Sequence, residues 1–337
     1  MTMGFLTEHP GLLTTVQDGG RYGYESFGMS PSGPMDVRAF RTANILVGNP
    51  VGESALEATM MGPALYFETD GFLAITGADM APLLNGRPCP MDQAVAVRAG
   101  DRLALGMART GCRSYIAFAG GLDIPEVMGS RSTALQNRIG GWYGRRLAAG
   151  DRIGFRGGRG ELRLPRIAPT LPPAEGERVV RVIMGPQEDC FTREGIETFL
   201  SQPYTVSREF DRMGCRLEGA AIAQKSDGNI ISDGMVTGAI QVPTSGQPII
   251  MLAERQTVGG YAKIAAVISA DLSVVGQCRA GDILRFQAVS LAEAHRLWRG
   301  FVQELEDLRS RLERSAKAAY RVVVEGNVYQ IEVERQD

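Results

Sequence analysis

The chain is poor in the side chains most often used for hydrolysis and metal binding. It has two histidines, His9 and His295, and three lysines, Lys225, Lys263 and Lys317. A Ser-His-Asp triad or a His-rich zinc site would have to be built on one of those two imidazoles. None of the lysines follows a glycine, which excludes a Gly-x-x-x-x-Gly-Lys-Ser/Thr phosphate loop. There is no His-Glu-x-x-His either. Gly28-Met29-Ser30-Pro31-Ser32-Gly33 approaches a nucleophile elbow but has the wrong spacing, so Ser30 and Ser32 read as turn and cap residues. The five cysteines are odd in number and form no Cys-x-x-Cys pair, which fits buried thiols in a reducing cytoplasm. No apolar run approaches the roughly 20 residues that span a bilayer. Residues 1–10 lack the basic start and apolar core of a secretory leader. With a formal net charge of -2 and no strongly basic stretch, nucleic acid is not an expected partner. A cytoplasmic protein is the expectation.

What the chain does have is glycine, 42 residues of it, punctuating short apolar runs at 64–67, 73–76, 114–119, 179–184 and 249–252. This pattern predicts a mainly β fold of barrels or sandwiches. Ala-Gly-Asp followed by alternating apolar residues occurs three times, at 99–101, 149–151 and 280–282, and reads as a tight turn feeding a strand. A length of 337 residues suggests two domains at roughly 150 residues each. The proline-rich stretch 157–177 reads as the linker between a first domain at 1–156 and a second at 178–289. Helices are few. One is expected at 34–47, with Ser32 or Gly33 as cap and Pro34 in the first turn. The clearest begins with a Ser290/Glu293 capping box, carries Leu297, Phe301, Leu305, Leu308 and Leu312 on one face, and runs to about Lys317. A hairpin follows, with strands at 320–324 and 328–333 around a Glu325-Gly326-Asn327 turn.

Several polar clusters stand out against this background. Asp18 and Arg21 lie among glycines in Thr14-Thr15-Val16-Gln17-Asp18-Gly19-Gly20-Arg21. Asp36 sits at a helix start whose free amides suit an anion, Glu57 is a carboxylate in an apolar run, and Asp211-Arg212 alternates charge with glycine. Gln241 is a single amide in an apolar strand. Lys263 stands in an uncharged stretch, where desolvation would depress its pKa unless a carboxylate compensates. Each is equally readable as part of a satisfied structural network, and Lys263 as a solvent-face residue.

In this order the clusters, with Ser32-Gly33-Pro34-Met35-Asp36, Ala43-Asn44, Asp211-Arg212-Met213-Gly214, Gly238-Ala239-Ile240-Gln241-Val242-Pro243 and Gly259-Gly260-Tyr261-Ala262-Lys263-Ile264-Ala265, resemble one family over roughly residues 3–288. It is the biotin-dependent carboxyltransferase family, which takes in allophanate hydrolase subunit 2, urea amidolyase-related proteins and the C component of 5-oxoprolinase. The resemblance implies two cyclophilin-like β-barrel domains. It implies a companion resembling the B component of 5-oxoprolinase or allophanate hydrolase subunit 1, with a third subunit or a biotin carrier. Three activities come with it: ATP-driven cleavage of 5-oxo-L-proline to L-glutamate, carboxyl transfer from carboxybiotin to urea, and non-catalytic antagonism of a kinase inhibitor. ATP is expected to act through the complex. Residues 290–337 extend beyond the shared core, and the hairpin is similar to the lead-in of biotinyl carrier domains. No lysine lies between two methionines, so biotin is expected on a separate carrier. The C-terminal helix and hairpin either dock that carrier or pack on the chain's own barrels. The expected site is a cleft with Lys263, Asp211, Arg212 and Glu57 as catalytic candidates and Arg21, Asp36 and Gln241 as substrate-binding ones.

Overall fold

The computed structural model is built mainly of short antiparallel strands, and it describes residues 4–157, 162, 164–170, 176–226, 228–315, 318–324 and 327–333. In the first half a six-stranded sheet runs in the order Arg152–Gly154, Gly4–His9, Ala64–Phe67, Arg102–Ala104, Leu83–Leu84, Arg87–Pro88. A five-stranded sheet runs Leu13–Gln17, Ala55–Thr59, Thr110–Phe118, Gly71–Asp79, Ala94–Val97. The core of this half centres on aromatic rings, with Phe118 stacked on Phe5 at 5.1 Å and on Phe155 at 5.2 Å.

In the second half seven strands close into a barrel in the order Glu177–Met184, Lys263–Val267, Ala239–Gln241, Ile249–Met251, Gly214–Gly219, Tyr204–Phe210, Ile283–Ala288. The first and last strands close it by pairing in parallel. Val180 and Val182 point inward while Glu177 and Val179 face out, the period of two that a half-buried strand requires. Their barrel-filling partners include Ile240, Ile250, Ile264 and Leu284.

The three Ala-Gly-Asp segments are one device used three times. Gly100, Gly150 and Gly281 have φ of 95°, 91° and 95°, a region that favours glycine. Each following aspartate folds back on the residue three before it: Asp101, Asp151 and Asp282 accept from the amides of Arg98, Ala148 and Arg279 at 2.7, 2.7 and 2.9 Å. Each glycine amide donates to a neighbouring strand, at Phe67, Thr7 and Val206. Two copies serve the first half and one the barrel, launching the strands at 102, 152 and 283.

The first helix, α1, spans Val37–Leu46, three residues shorter at its start than the sequence pattern suggested. Ser32 and Gly33 lie at φ of 57° and 83° and cannot cap it; the cap is Asp36, whose carboxylate accepts from Ala39 N at 3.0 Å. At the other end Arg166 donates to the carbonyls of Ile45 and Leu46, both at 2.7 Å, satisfying acceptors the helix leaves open. Arg166 comes from the expected linker, and Ala168 of the same stretch bonds to Asp92. Residues 164–170 are therefore laid against the first half rather than hanging between two domains. Much of the rest of 157–177 lies outside the described residues.

Helix α2 spans Arg193–Ser201, with Thr192 as its cap, and a short α3 spans Leu272–Gly276. The last helix, α4, spans Leu291–Ser315, and Ala316 and Lys317 lie outside the described residues. Its N-terminus is half a capping box: Ser290 Oγ accepts from Glu293 N at 3.2 Å, while Glu293 pairs with Arg296. Phe301, Leu305, Leu308 and Leu312 are buried against Phe40, Leu46 and Val47, so this stripe closes on the first half of its own chain and is no free docking face. At about 1.5–3 kcal/mol per buried side chain the face contributes roughly 6–12 kcal/mol before ordering entropy. The hairpin forms between Ala318–Val324 and Asn327–Val333, while Glu325 and Gly326 of the expected turn lie outside the described residues.

Candidate functional site

Two polar assemblies gather the candidate residues. The first lies buried between the halves and is organised by Arg212. Its guanidinium pairs with Glu57 from the first half, with Glu254 at 2.6 Å, and with the carbonyl of Gly33 at 2.7 Å. Glu57 Oε2 also accepts from Tyr115 Oη at 2.6 Å and Met35 N at 2.9 Å, and Glu254 accepts from Leu135 N. Glu57, Arg212 and Glu254 are 1%, 3% and 4% exposed. Burial alone would raise the Glu57 carboxyl, but Arg212, Arg113 and the hydrogen bonds outweigh it and hold its pKa below normal. Burial likewise pulls Arg212 down, and the two glutamates more than reverse that. Arg113 adds a bond to Gly276 O at 2.6 Å, and Gln277 reaches back to Arg113 and Asp36.

These positions correct the expectation of one open cleft lined by all the candidates. Arg21, Asp36, Glu57 and Arg212 are buried and hydrogen-bonded inside the fold, and Glu57 and Arg212 also form an ion pair there. Arg21 donates to Val127 O and Ser132 O, both at 2.9 Å, and so clamps a loop. Asp18 grips the same loop through Ser130 and Ser132, whose hydroxyls donate to its carboxylate at 2.6 Å each. Asp36 caps α1 and binds Gln277, and burial raises its pKa despite those bonds. Asp211 is exposed and accepts from Met213 N and Gly214 N, closing its own turn.

The second assembly lies at the rim of the barrel and contains Lys263 and Gln241, which face each other across paired strands. Just before Lys263 the chain runs out as Val258–Tyr261 and pairs with Asn229–Gly234, forming a ribbon outside the barrel. Asp233 on that ribbon accepts from Lys263 Nζ at 2.8 Å and supplies the compensating carboxylate. Its pKa is lowered, chiefly by this bond. Gln187 ties the pair together, donating to Asp233 at 3.2 Å and accepting from Lys263 N at 3.2 Å. Asp233 is opposite Gly259 in the ribbon. A side chain on Gly259 would meet Gln241 Nε2 at 2.6 Å, Met235 Cε at 2.7 Å and Gln256 Nε2 at 2.9 Å, so two carboxamides converge where the glycine leaves room. Next to Gln187 opens a depression of about 820 Å³ lined by Pro186, Glu188, Phe191, Ile196 and Lys225. An ammonium and three carboxamides can offer donors to a small ligand that carries both an amide and a negative charge, with Asp233 holding the ammonium in the free protein.

Sequence reading missed Asp233, Gln187, Gln256 and Glu254. Asp233, Gln187 and Glu254 lie far from their partners along the chain, and nothing in Ser232-Asp233-Gly234 or Pro186-Gln187 sets them apart from ordinary turn residues, while Gln256 stands just before the Lys263 stretch without any local feature of its own. Among the described residues no group of His, Cys, Asp and Glu is arranged to hold a metal, and no helix is long and apolar enough to cross a membrane.

Comparison with known proteins places the geometry. A family described as carboxyltransferase domain, subdomain A and B, matches residues 27–288. The chain is 40% identical to the C component of 5-oxoprolinase from Escherichia coli over 285 residues, covering 84% of this chain and 91% of that protein. It is 36% identical to urea amidolyase of Lachancea kluyveri over 316 residues, which is 87% of this chain but 17% of that protein. The crystal structure of the K. lactis urea amidolyase superposes with a TM-score of 0.84 at 31% identity over 91% of this chain and 20% of that one. The two mainly β halves are thus shared architecture with one segment of a much longer enzyme. The chain belongs to the carboxyltransferase domain family, subdomains A and B.

Proposed function

We propose that this chain is the carboxyltransferase-type subunit of a heteromeric, ATP-dependent 5-oxoprolinase, which opens 5-oxo-L-proline to L-glutamate. The observation that carries this is the 40% identity to the C component of E. coli 5-oxoprolinase across 91% of that protein's length. In this proposal Lys263 binds the substrate carboxylate through a charge-assisted hydrogen bond, and the carboxamides of Gln241 and Gln256 meet the lactam amide. Arg212 and Glu57 join the two halves of the chain without touching substrate. ATP is handled by a partner of the B-component type and a third subunit. In support, the chain has no glycine-lysine phosphate loop, and Arg21, Arg113 and Arg212 are taken up inside the fold.

A second proposal, favoured by the TM-score of 0.84 to the K. lactis urea amidolyase, is carboxyl transfer of the urea carboxylase type. The same donor set suits a ureido ring. Carboxybiotin on a separate carrier would supply the carboxyl group, and this chain would orient the acceptor. Both proposals put the chain in the cytoplasm as one member of an enzyme complex.

The test is steady-state kinetics on the reconstituted complex carrying Lys263→Met. Loss of a charge-assisted contact predicts a fall in kcat/KM of roughly tenfold or more, with the fold retained. Unchanged kcat/KM would remove Lys263 from the site.

A further inference from the structure

The Lys263 ammonium side chain is only 6% exposed, while the Asp233 carboxylate bonded to it is 53% exposed. The buried member of the pair belongs to the barrel and the exposed member to the ribbon. A ligand carboxylate that reaches Lys263 competes with Asp233 for the same ammonium. The other contacts of Asp233 oppose this move only weakly: its carboxylate binds the Gln187 amide at 3.2 Å and the amide of its own neighbour Gly234. The ribbon pairing itself shifts register between Asn229 and Asp233, so the strand is already irregular there. Gln187, whose Nε2 the same movement frees while its Oε1 still accepts from Lys263 N, lies between Pro186 and Glu188, which line the open depression.

We infer that Asp233 is an internal placeholder for the ligand's carboxylate, occupying Lys263 until an anionic substrate displaces it. Asp233 keeps the buried ammonium paired in the free protein, and a ligand carboxylate competes with it for Lys263, whereas an uncharged amide forms no ion pair with Lys263 and does not compete. The inference rests on the proposed role of Lys263.

The experiment measures binding to the full chain and KM and kcat of the reconstituted complex, with L-5-oxoproline and its uncharged analogue 2-pyrrolidinone as probes. Variants are Asp233→Asn, Lys263→Met and the double variant. Removing a competitor for the site raises apparent affinity by the reciprocal of the fraction of time the site was free, and an ammonium free about one-fifth of the time gives a roughly fivefold gain. Asp233→Asn should therefore lower Kd and KM for L-5-oxoproline by that factor, leave kcat within roughly twofold, and give no such gain with 2-pyrrolidinone. The double variant should lose the gain. An Asp233→Asn protein with unchanged or weaker affinity for L-5-oxoproline, alongside a Lys263→Met protein that binds poorly, would overturn the placeholder. So would an equal gain for both probes. Undiminished binding by Lys263→Met would instead overturn the role of Lys263 itself.

Discussion

Replacing Arg212 by methionine should be far more damaging to stability than to any chemistry. The substitution keeps an unbranched apolar stem of similar reach but leaves Glu57 and Glu254 buried beside one another without their shared cation. Breaking a buried pair by removing one partner costs about 3–5 kcal/mol. Here two carboxylates lose the same partner. Tyr115, Met35 and Leu135 still donate to them, which offsets part of the loss. A deficit of about 4 kcal/mol is therefore expected at neutral pH. The sign with pH follows from the shifts. In the wild-type fold Glu57 is depressed, so its contribution is fully present above the unfolded carboxylate value of about 4.3 and is lost as pH falls through the lower folded value. In the variant only Arg113 and the hydrogen bonds oppose the burial of Glu57, its depression is weakened, and protonation costs the variant less than the wild type as pH falls. The deficit should shrink as pH falls toward and below the unfolded carboxylate value of about 4.3. Urea unfolding followed by fluorescence and by circular dichroism measures it, with the two probes compared because the halves can separate. A loss under about 1 kcal/mol, or a deficit independent of pH, would refute the view that Arg212 is the electrostatic joint between the halves.

Gly259→Ala should spare the fold and hurt the site: the atoms it meets are the ends of Gln241, Met235 and Gln256, which can swing away, so unfolding should shift by less than about 1.5 kcal/mol while turnover of the complex falls roughly tenfold; full turnover would show that the two carboxamides need not converge. Leu305→Ala should destabilise by about 2–4 kcal/mol in thermal unfolding, since its side chain is buried against the first half; a neutral effect would mean that α4 does not pack as described. The purified chain should be silent on a streptavidin blot, because none of Lys225, Lys263 and Lys317 lies between methionines; a biotinylated band would contradict a separate carrier.

What the sequence made legible follows from range. Local signals worked: the Ala-Gly-Asp turns depend on three consecutive residues, and the Leu305, Leu308, Leu312 stripe needs only its own periodicity. The start of α1 was misread because Ser32-Gly33-Pro34 has the composition of a cap, whereas positive φ at Ser32 and Gly33 postpones the helix to Asp36. Non-local charge pairing was beyond reach. Glu57 and Arg212 are separated by 155 residues, and Lys263 and Asp233 by 30, so the residue types suggested polar work without saying which partner consumes each charge. Hence the joint between the halves and the rim of the barrel looked alike, and Arg21, Asp36 and Arg212 entered one imagined cleft with Lys263.

The most direct test of the account is the reaction of the reconstituted complex of this chain with its B-component and third-component partners, assayed in parallel for two products. ATP-dependent release of L-glutamate from 5-oxo-L-proline is predicted, abolished when this chain is omitted and absent from this chain alone. Incorporation of radiolabelled bicarbonate into urea by the complex supplied with ATP, a biotin carboxylase and a biotin carrier, with no glutamate formed from 5-oxo-L-proline, would contradict the 5-oxoprolinase assignment.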